Sequence, residues 1–165
     1  MFQNLIYVKQ CLGKDKEIVN IYKLRTMDLD ADQRLDEITE GFDSYGHPII
    51  DPRVTQLGRL LRRSWIDEIP QFYNLARGDI KLVGVRPSTE KEWRRYPTEL
   101  IEGVFKQKPG LMGVQYAYPR TTNFNEHLEH MMEYIERWEK DPLITDKNYL
   151  FRILQNILFK GVRSS

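Results

Sequence analysis

Pro70 divides a stretch that would otherwise read as one long amphipathic helix. Leu57, Leu60 and Leu61 stand at i, i+3 and i+4, the spacing of a single buried helical face. Phe72, Tyr73 and Leu75 continue an apolar pattern towards Gly78. A proline is accepted in the first turn of a helix, where its missing N–H has no partner to lose, and is disfavoured in deeper turns. Two helices are therefore expected. One begins after Thr55 and buries its leucine face. The other begins near Asp67, holds Pro70 in its first turn and runs to Gly78.

The flanking segments alternate differently. Ile6, Tyr7 and Val8, then Ile18, Val19, Ile21 and Tyr22, surround Gly13-Lys14-Asp15-Lys16, which reads as a β-hairpin. Residues 28–50 read as a short acidic helix and a loop. A short strand is expected over 80–85, a helical stretch over 90–95 and a turn at Lys108-Pro109-Gly110. Residues 111–118 read either as a strand or as irregular backbone. Met131, Tyr134, Ile135 and Trp138 give a helix over Asn125–Lys140, and a last helix over Lys147–Lys160 is apolar on most sides. Such a helix either docks on the core or lies on an apolar surface. The expected fold is α+β: one mostly helical domain over residues 1–165 with a small hairpin or sheet. It would comprise a hairpin entry over 1–26, a motif-bearing core over 51–120 and the apolar helix over 147–160.

The totals exclude several classes. With 25 basic and 24 acidic residues, the chain lacks the basic excess of a dedicated nucleic-acid binder. Cys11 is the single cysteine, so no intrachain disulfide and no multi-cysteine zinc site can form. His127 and His130 stand three apart with no evident third ligand. No apolar run reaches the length of a membrane span, and Met1–Leu5 is followed by a segment too short and polar for a signal peptide. No phosphate-binding P-loop or dinucleotide fingerprint occurs.

Five short motifs, in order, carry a resemblance. They are Lys23-Leu24-Arg25-Thr26-Met27; Asp51-Pro52-Arg53-Val54-Thr55 with Gly58-Arg59 and Arg62; and Asp67-Glu68-Ile69-Pro70-Gln71 with Asn74, Gly78-Asp79 and Val83-Gly84. Arg86-Pro87 and Lys108-Pro109-Gly110, with Gly113 and Arg120, complete the series. Together they resemble the bacterial sugar transferases, monotopic phosphoglycosyl transferases that act on polyprenol phosphate. The resemblance spans roughly residues 5–120. It implies attack by Asp67 on the β-phosphorus of a nucleotide diphosphate sugar, most simply a UDP-sugar. A covalent aspartyl-phosphosugar would then pass its sugar phosphate to polyprenol phosphate, a first step towards a polysaccharide or glycoconjugate. Glu68 would help hold Mg2+. Arg62, Arg86 and Arg120, with Lys23 and Arg25, would bind substrate phosphates. The expected place is the cytoplasmic face of the bacterial inner membrane, peripherally attached, or the cytoplasm. The family's N-terminal membrane segment is expected to be missing. A homologue that binds a nucleotide sugar or a partner enzyme without turnover is the other reading.

Elementary chemistry agrees with these roles without compelling them. A carboxylate can form a covalent intermediate that splits one difficult step into two. A helix start at Asp67 would favour its ionised form and a nearby phosphate, yet aspartate is also an ordinary N-cap. Magnesium takes carboxylate, phosphate and water oxygens, and guanidinium groups grip phosphate in pairs of parallel hydrogen bonds. A first-turn glutamate can equally be a solvated one, and each arginine can equally form a surface ion pair. Trp65, Val85 and Met112 depart from the family pattern, where serine, proline and threonine are usual. The stretch from Gln115 to Pro119 matches the family's glutamine-containing segment poorly.

Overall fold

The computed structural model describes residues 5–31, 33–34, 51–119 and 123–160. Most of the acidic stretch expected over 28–50 lies outside the described residues, and so does Arg120.

Strands β1 (Ile6–Leu12) and β2 (Ile18–Leu24) form the expected antiparallel hairpin, in a register that sets Tyr7 opposite Lys23 and Cys11 opposite Val19. Successive side chains of a strand point to opposite faces. The face carrying Cys11 and Ile21 is buried against Ile80 and Leu111, and the same alternation places Lys23 on that inner face. Cys11 is fully buried, and desolvation raises its thiol to about 11.

Strand β3 (Lys81–Gly84) pairs in parallel with β4 (Gly110–Gly113). Two short helices, α3 (Glu90–Trp93) and α4 (Thr98–Phe105), lie between them in the chain. A parallel pair needs such a crossover. Thr89 and Glu92 close a capping box at the start of α3, and Glu92 also accepts from Lys9 Nζ at 2.9 Å, tying α3 to the hairpin. The α+β class is as expected. The undecided stretch after Gly110 resolves into β4 and a 3-10 turn over Val114–Ala117.

Helix α1 (Gln56–Arg63) corrects one expectation. Leu57 and Leu60 are 64% and 62% exposed, so the leucine face is not a core face. The helix docks through Gly58 instead. A Cβ built there would lie 1.9 Å from Thr26 O, so only glycine permits this approach. Thr55 caps the helix by accepting from Gly58 N at 2.9 Å, and Thr55 N donates to Thr26 O at 3.0 Å.

The start of the next helix is also corrected. Asp67 is not in it. Ile66–Glu68 form a separate 3-10 turn, and α2 (Gln71–Arg77) begins after Pro70, which serves as its N-cap residue. A proline inside the helix would clash with the carbonyl four residues back, at Ile66, so the chain tightens into i→i+3 bonds before it. Helix α2 ends where expected, with Gly78 in the left-handed conformation at φ 76°.

Helices α5 (Phe124–Lys140) and α6 (Pro142–Lys160) cover the core. His127, Met131, Tyr134 and Ile135 form the buried stripe of α5. The last helix begins five residues before the expected Lys147. Asp141 Oδ1 accepts from Ile144 N at 3.0 Å, and Pro142 supplies the preset φ of a first helical residue. Thr145, Tyr149, Ile153 and Asn156 face the core, whereas Leu143, Phe151, Leu158 and Phe159 are exposed. The helix therefore docks on the core through one face and leaves apolar side chains exposed on the other. No helix among the described residues is long and apolar enough to cross a membrane.

Asn74 joins α2 to the hairpin. It is fully buried, its Nδ2 donates to Asn20 O at 2.7 Å and to Asp79 Oδ2 at 3.0 Å, and its Oδ1 accepts from Tyr22 N at 3.1 Å. Asn74→Ala leaves these groups buried without partners. The expected loss is about 1–3 kcal/mol, read as a lower urea midpoint with an unchanged slope.

Candidate active site

Four elements converge on the turn that holds Asp67 and Glu68. Strand β2 brings Lys23, the last turn of α1 brings Arg62, the segment after β3 brings Arg86, and the 3-10 turn after β4 brings Tyr116. Asp67 and Glu68 are each 5% exposed, an unusual depth for two adjacent carboxylates.

The turn is aimed by an unusual residue. Ser64 ends α1, with its hydroxyl donating to Leu60 O at 2.8 Å. Trp65 then takes the left-handed conformation, φ 64° and ψ 7°, a position normally filled by glycine. Trp65 O accepts from Glu68 N at 3.2 Å and closes the turn.

Glu68 is held by two cations on one oxygen. Its Oε1 accepts from Lys23 Nζ at 3.1 Å and from Arg86 Nη2. Burial alone would raise the Glu68 carboxyl, but Arg86 and Lys23 outweigh it and hold the group below its ordinary range. Burial, reinforced by the Arg86 charge, pushes Lys23 down to about 8 against the pull of Glu68 and Asp67. Arg86 Nη1 donates to the Tyr116 hydroxyl.

Asp67 differs from its neighbour. Its Oδ1 is buried with no hydrogen-bond partner. Desolvation raises its carboxyl, with Glu68 adding to the rise, while Lys23, Arg62 and Arg86 oppose it. Arg62 Nε donates to Thr26 Oγ1 at 3.0 Å, which fixes the guanidinium beside the pair. The close approach at Gly58, one helical turn earlier, makes that bond possible.

The structure thus brings Lys23, Arg62 and Arg86 together around the carboxylate pair. Arg25 lies over the Tyr7 ring, 5.5 Å from its centroid. Two participants escaped the sequence reading. Thr26 sits within the first motif, but its bond to Arg62 is a tertiary contact. Tyr116 lies in the stretch that matches the family poorly, and that mismatch was its only signal. Among the described residues, no group of three or more His, Cys, Asp or Glu gathers to bind a metal.

An acidic pair beneath three cations, one carboxylate paired and the other left with an unsatisfied oxygen, has groups that can meet a phosphate and a carboxylate able to act as a nucleophile. Residues 2–160 match the family described as bacterial sugar transferase. The chain belongs to that family. Among curated bacterial sugar transferase relatives, the galactosyl transferase CpsE of Streptococcus agalactiae is 33% identical over 138 residues, 81% of this chain and 30% of the relative. The undecaprenyl-phosphate galactose phosphotransferase of Salmonella typhimurium is 28% identical over 166 residues, 93% of this chain and 33% of the relative. The UDP-glucose:undecaprenyl-phosphate glucose-1-phosphate transferase of Escherichia coli is 31% identical over 144 residues, 81% of this chain and 29% of the relative. The chain thus spans about a third of the length of these relatives.

The opposed environments of the site make two predictions for stability. Asp67 has a raised folded pKa, so its ionisation opposes folding once the pH exceeds its unfolded value. Asp67→Asn removes that penalty and should raise the melting temperature at pH 7 by a few degrees, with the gain vanishing in acid below the aspartate range. Lys23 has a lowered folded pKa. Between about 8 and its ordinary 10.5 the unfolded chain binds more protons at this residue, so its contribution to stability rises with pH. In urea unfolding at pH 8 and pH 10, wild type should gain on Lys23→Met at the higher pH.

Proposed function

We propose that this chain transfers a sugar 1-phosphate from a nucleotide diphosphate sugar, a UDP-sugar foremost, to a polyprenol phosphate, with Asp67 as nucleophile. The supporting observation is the buried Asp67 oxygen without a partner, set beside Lys23, Arg62 and Arg86. Among the described residues no group bonds that oxygen, and its surroundings suit a tetrahedral phosphorus carrying negative charge. The relatives from Salmonella typhimurium and Escherichia coli are named for the same kinds of substrate, undecaprenyl phosphate in both and UDP-glucose in the second.

In this reading an Asp67 oxygen forms a bond to the β-phosphorus. The bond from that phosphorus to the bridging oxygen breaks, and nucleotide monophosphate leaves with the electron pair. A phosphate oxygen of the lipid then attacks the aspartyl phosphorus, the Asp67–phosphorus bond breaks, and the carboxylate returns. Arg62 and Arg86 neutralise charge on the phosphates. Lys23 keeps Glu68 ionised in its buried place.

Magnesium suits the carboxylates present. It commonly binds through one or two carboxylates, substrate phosphates and waters, and needs no cage of protein ligands. Both cation contacts of Glu68 fall on Oε1. Glu68 would help hold the ion, which when bound would neutralise the diphosphate. Exposed Leu57, Leu60, Ile66, Ile69 and Phe72 precede and follow the Asp67 turn in the chain, with Arg59 and Arg63 among them. Apolar and basic residues together suit the surface of an anionic membrane, so the lipid substrate would be met at the cytoplasmic leaflet.

The test is release of nucleotide monophosphate from a panel of UDP-sugars, with magnesium and detergent-solubilised polyprenol phosphate. Wild type should release it, and Asp67→Asn should be slower by at least about 10³-fold. Equal rates would remove Asp67 as nucleophile. Magnesium-dependent binding of the UDP-sugar without release by wild type would make the chain a binding homologue.

A further inference from the structure

Two aromatic residues meet behind the carboxylate pair, and neither has a role in the reaction as written above. Trp65 and Tyr116 pack edge to face, with ring centroids 4.7 Å apart. We propose that they are positioning residues. The Tyr116 hydroxyl aligns Arg86, and through it Glu68, while the Tyr116 ring holds Trp65 in the left-handed turn that delivers Asp67. This assignment rests on the reading of Asp67 and Glu68 as the reacting pair.

Trp65 carries the first part of the argument. A bulky side chain at φ 64° is strained and persists only where its surroundings hold it. Its indole Nε1 is buried without a hydrogen-bond partner, so no polar bond holds the ring in place. The contact with Tyr116 is among those that do, alongside the packing of the indole against the core. Edge-to-face aromatic pairs add attraction beyond their buried area. The strained residue stands two positions before Asp67 and one after the cap of α1, so its conformation sets the direction in which the Asp67 turn leaves the helix.

Tyr116 carries the second part. It is 6% exposed and is fixed at both ends. Its carbonyl accepts from Asn156 Nδ2 of α6 at 3.0 Å, which anchors the backbone to the longest helix. Its hydroxyl accepts from Arg86 Nη1, while the adjacent Nη2 of the same guanidinium reaches Glu68. A guanidinium is planar, so fixing one terminal nitrogen fixes the direction of the other. A continuous path therefore runs from α6 through Tyr116 and Arg86 to Glu68. The same tyrosine supports Trp65 on its ring. One side chain thus orients both acidic residues, Glu68 through its oxygen and Asp67 through its ring face.

Two conservative variants test the assignment. Tyr116→Phe keeps the ring and removes the hydroxyl. Trp65→Gly keeps a residue that accepts φ 64° and removes the packing. Both are expected to fold, with circular dichroism close to wild type and a lower melting temperature for Trp65→Gly, whose indole packs against the core. In nucleotide monophosphate release, each should lower kcat by about 10- to 100-fold with KM within about twofold, as expected when reacting groups are misplaced and not lost. Wild-type kcat in either variant overturns that residue's role. A second readout needs no turnover. In nitrogen-15 arginine spectra, assigned with Arg86→Lys, the Arg86 Nη1 signal of wild type should shift in Tyr116→Phe, while the Nη2 signal held by Glu68 stays in place. An unshifted Nη1 signal in Tyr116→Phe overturns the alignment of Arg86 by Tyr116. A wild type that releases no nucleotide monophosphate removes the proposed reaction instead, and the arginine spectrum still decides whether Tyr116 holds Arg86.

Discussion

The site depends on keeping a carboxylate charged where water cannot reach it. Glu68 is nearly inaccessible, and an isolated carboxylate at such depth would take up a proton. Lys23 and Arg86 prevent this by converging on one oxygen from two separate parts of the fold. The inner face of the hairpin exists to the benefit of Lys23, and the end of β3 to that of Arg86. Removing either cation would leave a buried, under-compensated charge, a much larger defect than the loss of an exposed ion pair.

Adjacent residues then receive opposite treatment. Glu68 is satisfied, and Asp67 is left with an oxygen that no protein group fills. A fold optimised for stability alone would have no reason for such an arrangement. Unsatisfied buried groups and strained backbone concentrate where a ligand completes the structure. Here both occur within three residues, at Trp65 and at Asp67.

Legibility of the sequence followed the range of the forces involved. The hairpin was readable because strand alternation and a glycine-containing turn are local signals, and Gly78 was readable as a helix stop for the same reason. The leucines of α1 misled because periodicity identifies an apolar face and not what covers it; Gly58, without a side chain, turned out to be the contact. Asp67 was misplaced into α2 because the clash of Pro70 with the Ile66 carbonyl decides the boundary, and that clash is geometric. The early start of α6 was present in Asp141-Pro142 as a cap and a first helical residue. The convergence of Lys23, Arg62 and Arg86 came only from the ordered motifs, since no local property links residues so far apart. Tyr116 was beyond both kinds of reading, because it acts through a tertiary contact in a stretch that departs from the family.

The parallel pairing of β3 with β4 has a consequence for how the site comes into being. A hairpin can zip from its turn, but a parallel pair must wait until the intervening α3 and α4 have found their places. Arg86 leaves the end of β3, and Tyr116 follows β4. Arg86, which grips Glu68, and Tyr116, which holds Arg86, are therefore brought together by a non-local parallel pairing. Until that pairing forms, Glu68 lacks one of its two cations. The chain before it would carry an acidic turn that is still solvated.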